Sequence, residues 1–408
     1  MDVTTTPLVI ANDSVWMEGN ALRQLESLTE IPQLVRAVGM PDLHAGPGIP
    51  IGVSVALRDV IHPDLIGSDA GCGVRVVALP RPKVSGAKLE RRVRRETDGP
   101  VLPEVDPVAL LQAAWTCGPP GLADLPDVPE ALAEWAADEA DGAGVLGHLP
   151  SGELPDDPSF SHDLGTVGGG NHFVELSRVA SVVDRTTATT LGLLRGGSAV
   201  VAHSGSRALG HAVARRWQGA VLDDESRRQA YLRDLAGCLR YAATNRLLLA
   251  WRLLRAAGHA STERIKGTFD IIHNWVEPVE MSCGPAWLHR KGSAPGRPGE
   301  PTVVLGTRGT ESWVMAGTGT EETLWSVAHG AGRRMARGEA LEKIRAKHAR
   351  AELLRTSSGG LVICDDWKLL YAEHPDAYKD IEPVIESLEE AEAARRVVSL
   401  LPIATVKR

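Results

Sequence analysis

MPDLHAGPGIPIGVSVAL, residues 40–57, and GSDAGCGVRVVAL, residues 67–79, each run from a polar, glycine-rich turn into an apolar stretch. Short Val- and Ile-rich runs bounded by Gly and Pro predict strands, with the polar residues left at the strand ends. Asp69 and Cys72 stand three apart between glycines, so a tight turn would aim a carboxylate and a thiolate at one point. The thiolate is a soft ligand and the carboxylate a hard one, a pair that suits a borderline ion such as Mn²⁺ or Zn²⁺. A buried structural Cys beside a turn Asp would leave the same local pattern, so these two residues alone decide nothing.

The pattern recurs further along. GTVGGGNHFVEL (165–176) carries His172, AHSGSRALGH (202–211) carries His203 and FDIIHNW (269–275) carries His273. Any one of these imidazoles could be an ordinary core or surface histidine. Together with Asp69 and Cys72 they supply ligands for two adjacent metal ions sharing the sulfur, and the set points to metal binding. Glycine clusters so far apart in sequence predict one site assembled from several loops. AHGAGRRMAR (328–337) adds His329, with Gly330 and Gly332 letting backbone N–H groups approach a phosphate and Arg333 and Arg334 supplying charge. Spacing leaves open whether His329 ligates metal, moves a proton, attacks phosphorus or merely caps a helix in solvent. The loops VLGTRGTESW (304–313) and HRKGSAPG (289–296) suit phosphate or ordinary turns equally, and neither matches a Walker A or dinucleotide fingerprint. Basic residues at helical spacing in RRMARGEALEKIRAKHAR (333–350) fit a solvated helix face as well as RNA.

Composition bounds the rest. With 408 residues, 43% hydrophobic and 24% charged, the chain is neither collagenous, disordered nor coiled coil, and is long enough for ample core. No apolar run reaches the roughly 18 residues of a membrane span, and the opening MDVTTTPLVIANDS lacks a leader profile, so no membrane association and a cytoplasmic location are expected. Five scattered cysteines with no CxxC pair predict reduced thiols. The net charge of −8 is uneven: residues 96–177 hold sixteen Asp and Glu and no Lys or Arg, leaving the remainder at +8, which is compatible with a polyanionic partner. The first ~95 residues read as short strands. The acidic stretch reads as an elaborated loop with a short helix near ALAEWAADEA, residues 223–257 as a long amphipathic helix, 321–349 as helical, and LLPIATVK as a closing strand.

With these residues laid out, the chain resembles the RtcB-type RNA ligases from about Met40 to Lys407. The resemblance lies in MPDLHAGPGIPIG, DAGCGVR, GTVGGGNHFVEL, HSGSRALGH, HNW, RKG, HGAGR, YKDIEPV and the terminal VK. It implies a single α+β domain over residues 1–408, with mixed sheets around a dinuclear metal pocket and helices outside; the acidic Pro/Asp-rich stretch at 99–160 reads by composition as an insertion within it. It implies a GTP- and Mn²⁺-dependent enzyme joining RNA 2′,3′-cyclic phosphate or 3′-phosphate ends to 5′-hydroxyl ends, in RNA repair or tRNA splicing. One Mn²⁺ would be held by Cys72, His203 and His273, the second by Asp69, Cys72 and His172. His329 matches the histidine that becomes guanylylated on the way to an RNA-3′-pp-G intermediate, and Asp42 a carboxylate beside it. Asn171, Glu175, Ser312, Gly330, Gly332, Tyr378 and Lys407 match nucleotide-binding positions, with Glu175, Tyr378 and Lys407 on the guanine side. Arg207, Lys291 and Arg333 are expected to contact RNA or phosphate.

Pro47 and Ile49 stand where members carry bulky aromatics, and Arg308 and Trp313 where Met and Tyr are expected. These departures spare every expected ligand and the nucleophile, and suggest a divergent branch associated with release factor H or another activating protein. Two other readings fit fewer of the residues: a dinuclear phosphoesterase that only opens cyclic phosphates, and a non-catalytic RNA- or partner-binding protein.

Overall fold

The structure, a computed structural model, describes residues 6–81, 86–259 and 261–408. The opening MDVTT, part of the stretch read for a leader profile, lies outside the described residues. The strands in chain order begin with Leu8–Val9 (β1), Leu34–His44 (β2), Ile51–Leu57 (β3), Gly73–Leu79 (β4) and Phe173–Val182 (β5). Ser198–Ser204 (β6), Gly267–Ile272 (β7), Asn274–Met281 (β8), Gly284–Lys291 (β9) and Ser293–Pro295 (β10) follow. Pro301–Val304 (β11), Ser312–Gly317 (β12), Ser326–Ala328 (β13), Leu361–Cys364 (β14) and Ala394–Lys407 (β15) complete the set.

The larger sheet has the order β11-β12-β15-β5-β6-β4-β7, antiparallel throughout, with β14 added parallel to β15. A second sheet runs β1-β2-β3-β9-β8, and β10 pairs with β13 as a separate ribbon. Only His273 separates β7 from β8, so the chain passes from one sheet to the other at that residue. GVRVVAL and SAVVAHS, the sequences of β4 and β6, are buried along their whole length. Covered on both faces, they need no polar alternation, which is why they read as continuous apolar runs.

One face of the larger sheet carries the Glu225–Ala257 helix, which touches β4, β5 and β6. Asp224 caps its N-terminus by accepting from the Arg227 N–H, and Gly258 ends it in the left-handed region. The helix is expected to be amphipathic, but from Tyr231 to Ala257 it is buried almost all round. The reason is the basic helix Gly86–Thr97 together with the acidic stretch that follows it. Helices Gly86–Thr97 and Pro107–Thr116 lie on its outer side, and Trp115, Leu122, Leu132 and Trp135 join the apolar cluster of Leu235, Leu239 and Leu247. Its polar residues survive burial because each is partnered: Arg240 binds Asp141, Asn245 the Ser204 hydroxyl and Arg246 the Asp270 carboxylate. The sheet's other face packs on a second cluster that includes Val74, Val76, Val314 and Leu388.

The architecture is the expected α+β fold with mixed sheets and outer helices. Two local expectations change. Residues 321–349 are helical only over Arg337–Arg345, because Leu324, Trp325 and Gly332 take positive φ and Ser326–Ala328 pairs with β10. The first ~95 residues also contain helices Gly19–Glu26 and Gly86–Thr97.

Candidate active site

β5, β6, β4 and β7 are successive neighbours, and their ends converge. His172 immediately precedes β5, His203 lies near the end of β6, Cys72 immediately precedes β4 and His273 immediately follows β7. The register places Phe173 and Val74 opposite His203, and Gly73 opposite Ile272. The sheet therefore gathers four side chains 201 positions apart at their extremes (72 to 273). Cys72 Sγ lies 3.3 Å from His172 Nε2 and 3.5 Å from His203 Nε2. His203 Nε2 is 3.4 Å from His273 Nε2, and Asp69 Oδ2 is 2.9 Å from His172 Nε2.

These separations suit ions held between the donors. A tetrahedral ion with bonds of about 2.3 Å to sulfur and about 2.05 Å to nitrogen keeps S and N about 3.6 Å apart and two N about 3.3 Å apart. The donors fall into two sets, Cys72–His203–His273 and Asp69–Cys72–His172, each within 4.8 Å, with the sulfur common to both. All five expected ligands are brought together. Burial pushes the Cys72 thiol well up, helped by Asp69, and holds His203 and His273 well below the usual imidazole range. Neutral imidazole is the ligating form, and a bound cation reverses the thiol's preference, so metal uptake should release a proton. Burial would also raise Asp69, but the His172 imidazole and the Arg207 N–H bring it down to about 2.

Two features aim these ligands. Gly71, at φ 77°, brings the turn within contact of the long helix; a Cβ there would meet Ala242 Cβ at 3.0 Å and the Cys238 carbonyl at 3.2 Å. From that helix Arg246 Nη1 donates to the carbonyls of Gly71 (2.6 Å) and Ser204 (3.0 Å), the residues beside Cys72 and His203. Its Nε and Nη2 bind both oxygens of Asp270.

His329 stands beside this cluster, its ring centroid 4.9 Å from that of His273. Its Nδ1 is 2.6 Å from Asp42 Oδ2, and the same oxygen accepts from the Gly330 N–H at 3.3 Å. Gly332, at φ 73°, lets the loop pass so close to β2 that a Cβ would lie 2.2 Å from the Asp42 carbonyl. Lys379 Nζ donates to the carbonyls of Pro41 and Leu43, fixing the backbone either side of Asp42. His44, held near pKa 4 by burial, contacts the Asp42 carbonyl through Nδ1.

From His329 a cavity of about 610 Å³ extends toward Asn171, Glu175, Gly330, Gly332, Tyr378 and Lys407. Glu373 is its electrostatic hub: it accepts from Arg333 and Tyr378 and lies 3.8 Å from Lys407 Nζ. Burial raises Glu373, but Lys407 and Arg333 outweigh that and hold it below the usual carboxylate range. Burial drives Glu175 up to about 7, against the Ser177 and Thr405 hydroxyls that donate to it.

Other candidates are placed differently. Ser312 is buried behind the cavity wall, accepting from the Gly306 N–H. Arg333 lines the cavity, but its guanidinium is committed to Glu373, the Ala372 carbonyl and the Tyr378 ring. Lys291 turns to the carbonyls of Pro47 and Ile49. Arg207 donates its N–H to Asp69 and reaches Asp163. Neither Lys291 nor Arg207 lines the cavity. His44 and Lys379 lie inside motifs singled out in the sequence and were within reach of that reading. Glu373 and Arg246 lie outside those motifs, and Asp270, though inside FDIIHNW, gave no sign of its role, because the partners of all three are fixed by tertiary contact alone.

A family model described as tRNA-splicing ligase RtcB matches residues 24–408. The chain is 32% identical over 412 residues to the RNA-splicing ligase RtcB2 of Escherichia coli, covering 98% of this chain and 94% of that protein. It is 30% identical over 444 residues to the RNA-splicing ligase RtcB of Mycobacterium tuberculosis, covering 94% and 100%. It is 29% identical over 472 residues to the tRNA-splicing ligase RtcB of Pyrobaculum aerophilum, covering 98% and 94%.

Proposed function

The chain belongs to the RtcB family, and from that premise we propose that it is a GTP- and Mn²⁺-dependent RNA ligase that seals 2′,3′-cyclic phosphate or 3′-phosphate ends to 5′-hydroxyl ends through a guanylylated His329. The observation that carries this reading is the position of His329, between the five metal donors and the 610 Å³ cavity, with Asp42 on its Nδ1. The volume is in the range of nucleotide sites, about 300–1,000 Å³.

In this reading Asp42 keeps the ring proton on Nδ1 and leaves the Nε2 lone pair free. Nε2 bonds to the α-phosphorus of GTP as the bond to the bridging oxygen breaks, and pyrophosphate departs. Asp42 faces the resulting charged ring. An RNA 3′-phosphate oxygen then takes the GMP from His329, giving RNA-3′-pp-G and returning the electron pair to Nε2. The 5′-hydroxyl attacks the RNA phosphorus, GMP leaves and the hydroxyl proton passes to solvent. Water must open a cyclic phosphate first. Bound at Cys72, His203, His273, Asp69 and His172, divalent ions would supply charge neutralisation for the phosphoryl oxygens. Gly330, whose N–H is given to Asp42, and Gly332 would line the nucleotide site with Asn171 and Ser312, while Glu175, Tyr378 and Lys407 would hold the guanine. Arg207, Lys291 and Arg333 would contact RNA or phosphate, on releasing the protein groups they now bind.

Residues 1–408 are taken as one catalytic unit with an acidic insertion at 99–160. The substrate is proposed to be broken RNA in repair or tRNA splicing in the cytoplasm, with a release-factor-H-type or activating protein as partner. Among the described residues no helix is long and apolar enough to cross a membrane.

The test is incubation with α-labelled GTP and Mn²⁺, followed by RNA with defined ends. The expected result is a covalent GMP adduct that chases into ligated RNA and is absent in His329→Ala. A metal-loaded protein that never forms the adduct would overturn the proposal. Cyclic-phosphate opening that survives in His329→Ala without GTP would assign the protein to the phosphoesterases.

A further inference from the structure

Arg308 sits in the turn between β11 and β12, where Thr307 and Thr310 hydrogen-bond each other and the Gly306 N–H donates to Ser312. Its side chain lines the cavity and the residue is 7% exposed. Nη2 donates to the Leu370 carbonyl at 2.9 Å. Nη1 is buried and has no hydrogen-bond partner among the described residues. Among the described residues no carboxylate forms an ion pair with the guanidinium; Glu373, the acid whose charge is felt most there, is already engaged by Arg333, Tyr378 and Lys407. Burial lowers Arg308 to about 10, so at neutral pH the group remains charged.

A buried cationic donor without an acceptor is costly, and such groups persist in binding sites where a ligand supplies the missing partner. The cavity also holds the reverse arrangement, since Glu175 is a buried carboxyl lined up with two hydroxyls and carries spare acceptor capacity. A planar ligand with acceptors on one edge and donors on another satisfies both. Guanine presents O6 and N7 as acceptors and N1–H and N2–H as donors. Adenine places an amino donor where O6 would be, against a guanidinium that can only donate. A phosphate is the weaker fit at Arg308: the nucleophile His329 lies with Asp42 and Gly330, whereas the groups felt most at Arg308 are Cys364, Glu373 and Tyr378.

We propose that Arg308 is a base-specificity residue whose free Nη1 donates to the O6/N7 edge of guanine and so selects GTP over ATP. This rests on the reading of the cavity as a nucleotide site, and the experiment separates the two. The full-length protein and its Arg308→Met variant are titrated with GMP, AMP and inorganic pyrophosphate, and adduct formation with GTP is followed in parallel. A charged hydrogen bond lost at a base edge predicts at least a tenfold fall in GMP affinity, with AMP and pyrophosphate changed less than twofold. Equal losses for all three, or unchanged GMP binding, would overturn the assignment. If Arg308→Met does not fold, judged by its melting curve, Arg308→Lys gives the answer: a several-fold drop in the GMP/AMP ratio supports the assignment and an unchanged ratio ends it. A wild-type protein that prefers GMP through Arg308 yet forms no adduct would refute the ligase reading alone. One that forms adducts with GTP and ATP alike would refute only the role of Arg308.

Discussion

Arg246→Met tests whether the long helix positions the metal ligands or merely supports the core. Arg246 is fully buried and makes four hydrogen bonds, two to Asp270 and two to the carbonyls of Gly71 and Ser204. Methionine fills much of the volume but leaves the Asp270 carboxylate with Arg75, 3.5 Å away, as its remaining cation. Breaking a fully buried pair from one side costs about 3–5 kcal/mol, and the partial exposure of Asp270 and the nearby Arg75 put the cost here below that range. The two carbonyls each lose a charged donor, and the turns carrying Cys72 and His203 lose their common tether. Loss of a group that orients metal ligands weakens affinity about 10–100-fold, or about 1.4–2.8 kcal/mol. The double variant Arg246→Met/Asp270→Leu separates the two effects. Removing the carboxylate, while Arg75 keeps Glu139, should restore part of the stability in urea unfolding, whereas Mn²⁺ affinity, read from the spin-resonance signal of free Mn²⁺, stays weak. Should a folded Arg246→Met bind Mn²⁺ within twofold of wild type, or should the double variant recover both quantities together, the positioning role would be wrong.

Cys72→Ser should abolish the spin-coupled signature of a metal pair and weaken both sites, because both sets share that sulfur; His172→Ala should spare one ion, and equal losses in the two variants would argue against a bridge. Asp42→Asn should slow transfer of labelled GMP to His329 by about 10²–10⁴-fold in a single turnover, with GTP binding little changed; an unchanged rate would remove Asp42 from the mechanism. His289, fully buried against the carbonyls of Val55 and Trp287, is held by burial at about 3, below its unfolded value of about 6.5. The unfolded chain therefore takes up that proton first, so this contribution is whole above about pH 6.5 and shrinks toward pH 3, by about 2 kcal/mol at pH 5. His289→Gln should flatten the stability-versus-pH slope between pH 6 and 5 by about one proton, and an unaltered slope in urea titrations would show that the imidazole does not carry it.

The site was legible where chemistry sits next to a strand end. Cys72, His172, His203 and His273 each adjoin an apolar run, and pairing of those runs collects them without further information. His329 and Asp42 were marked by their glycines. What could not be read is whatever depends on which helix face meets which strand. Arg246 to Asp270 and Arg333 to Glu373 span 24 and 40 positions with no periodicity to announce them. The helix at 225–257 was legible by period, yet its outer face looked solvated because the segment that covers it is strongly acidic.

That acidity has a structural account for part of the segment. Glu139 lies 2.7 Å from Arg75, a buried residue of β4 that also approaches Asp270, the partner of Arg246. Asp141 holds Arg240 on the long helix, and Asp163 meets Arg207 and the Ala208 N–H at the start of the helix that follows β6. These carboxylates pair with arginines of the body of the protein, so their charge is spent inward; of the three arginines, Arg75 leads through Asp270 to Arg246 and the ligand turns, while Arg240 ties down the loop carbonyls of Gly147 and Leu149. An acidic stretch of this kind need not repel a polyanion at the site, because the Arg75–Asp270–Arg246 chain it completes ends on the backbone of Gly71 and Ser204. Glu139, Asp141 and Asp163 are thus held by arginines of the body of the protein, while most of the other carboxylates of the stretch face solvent and carry its surface charge.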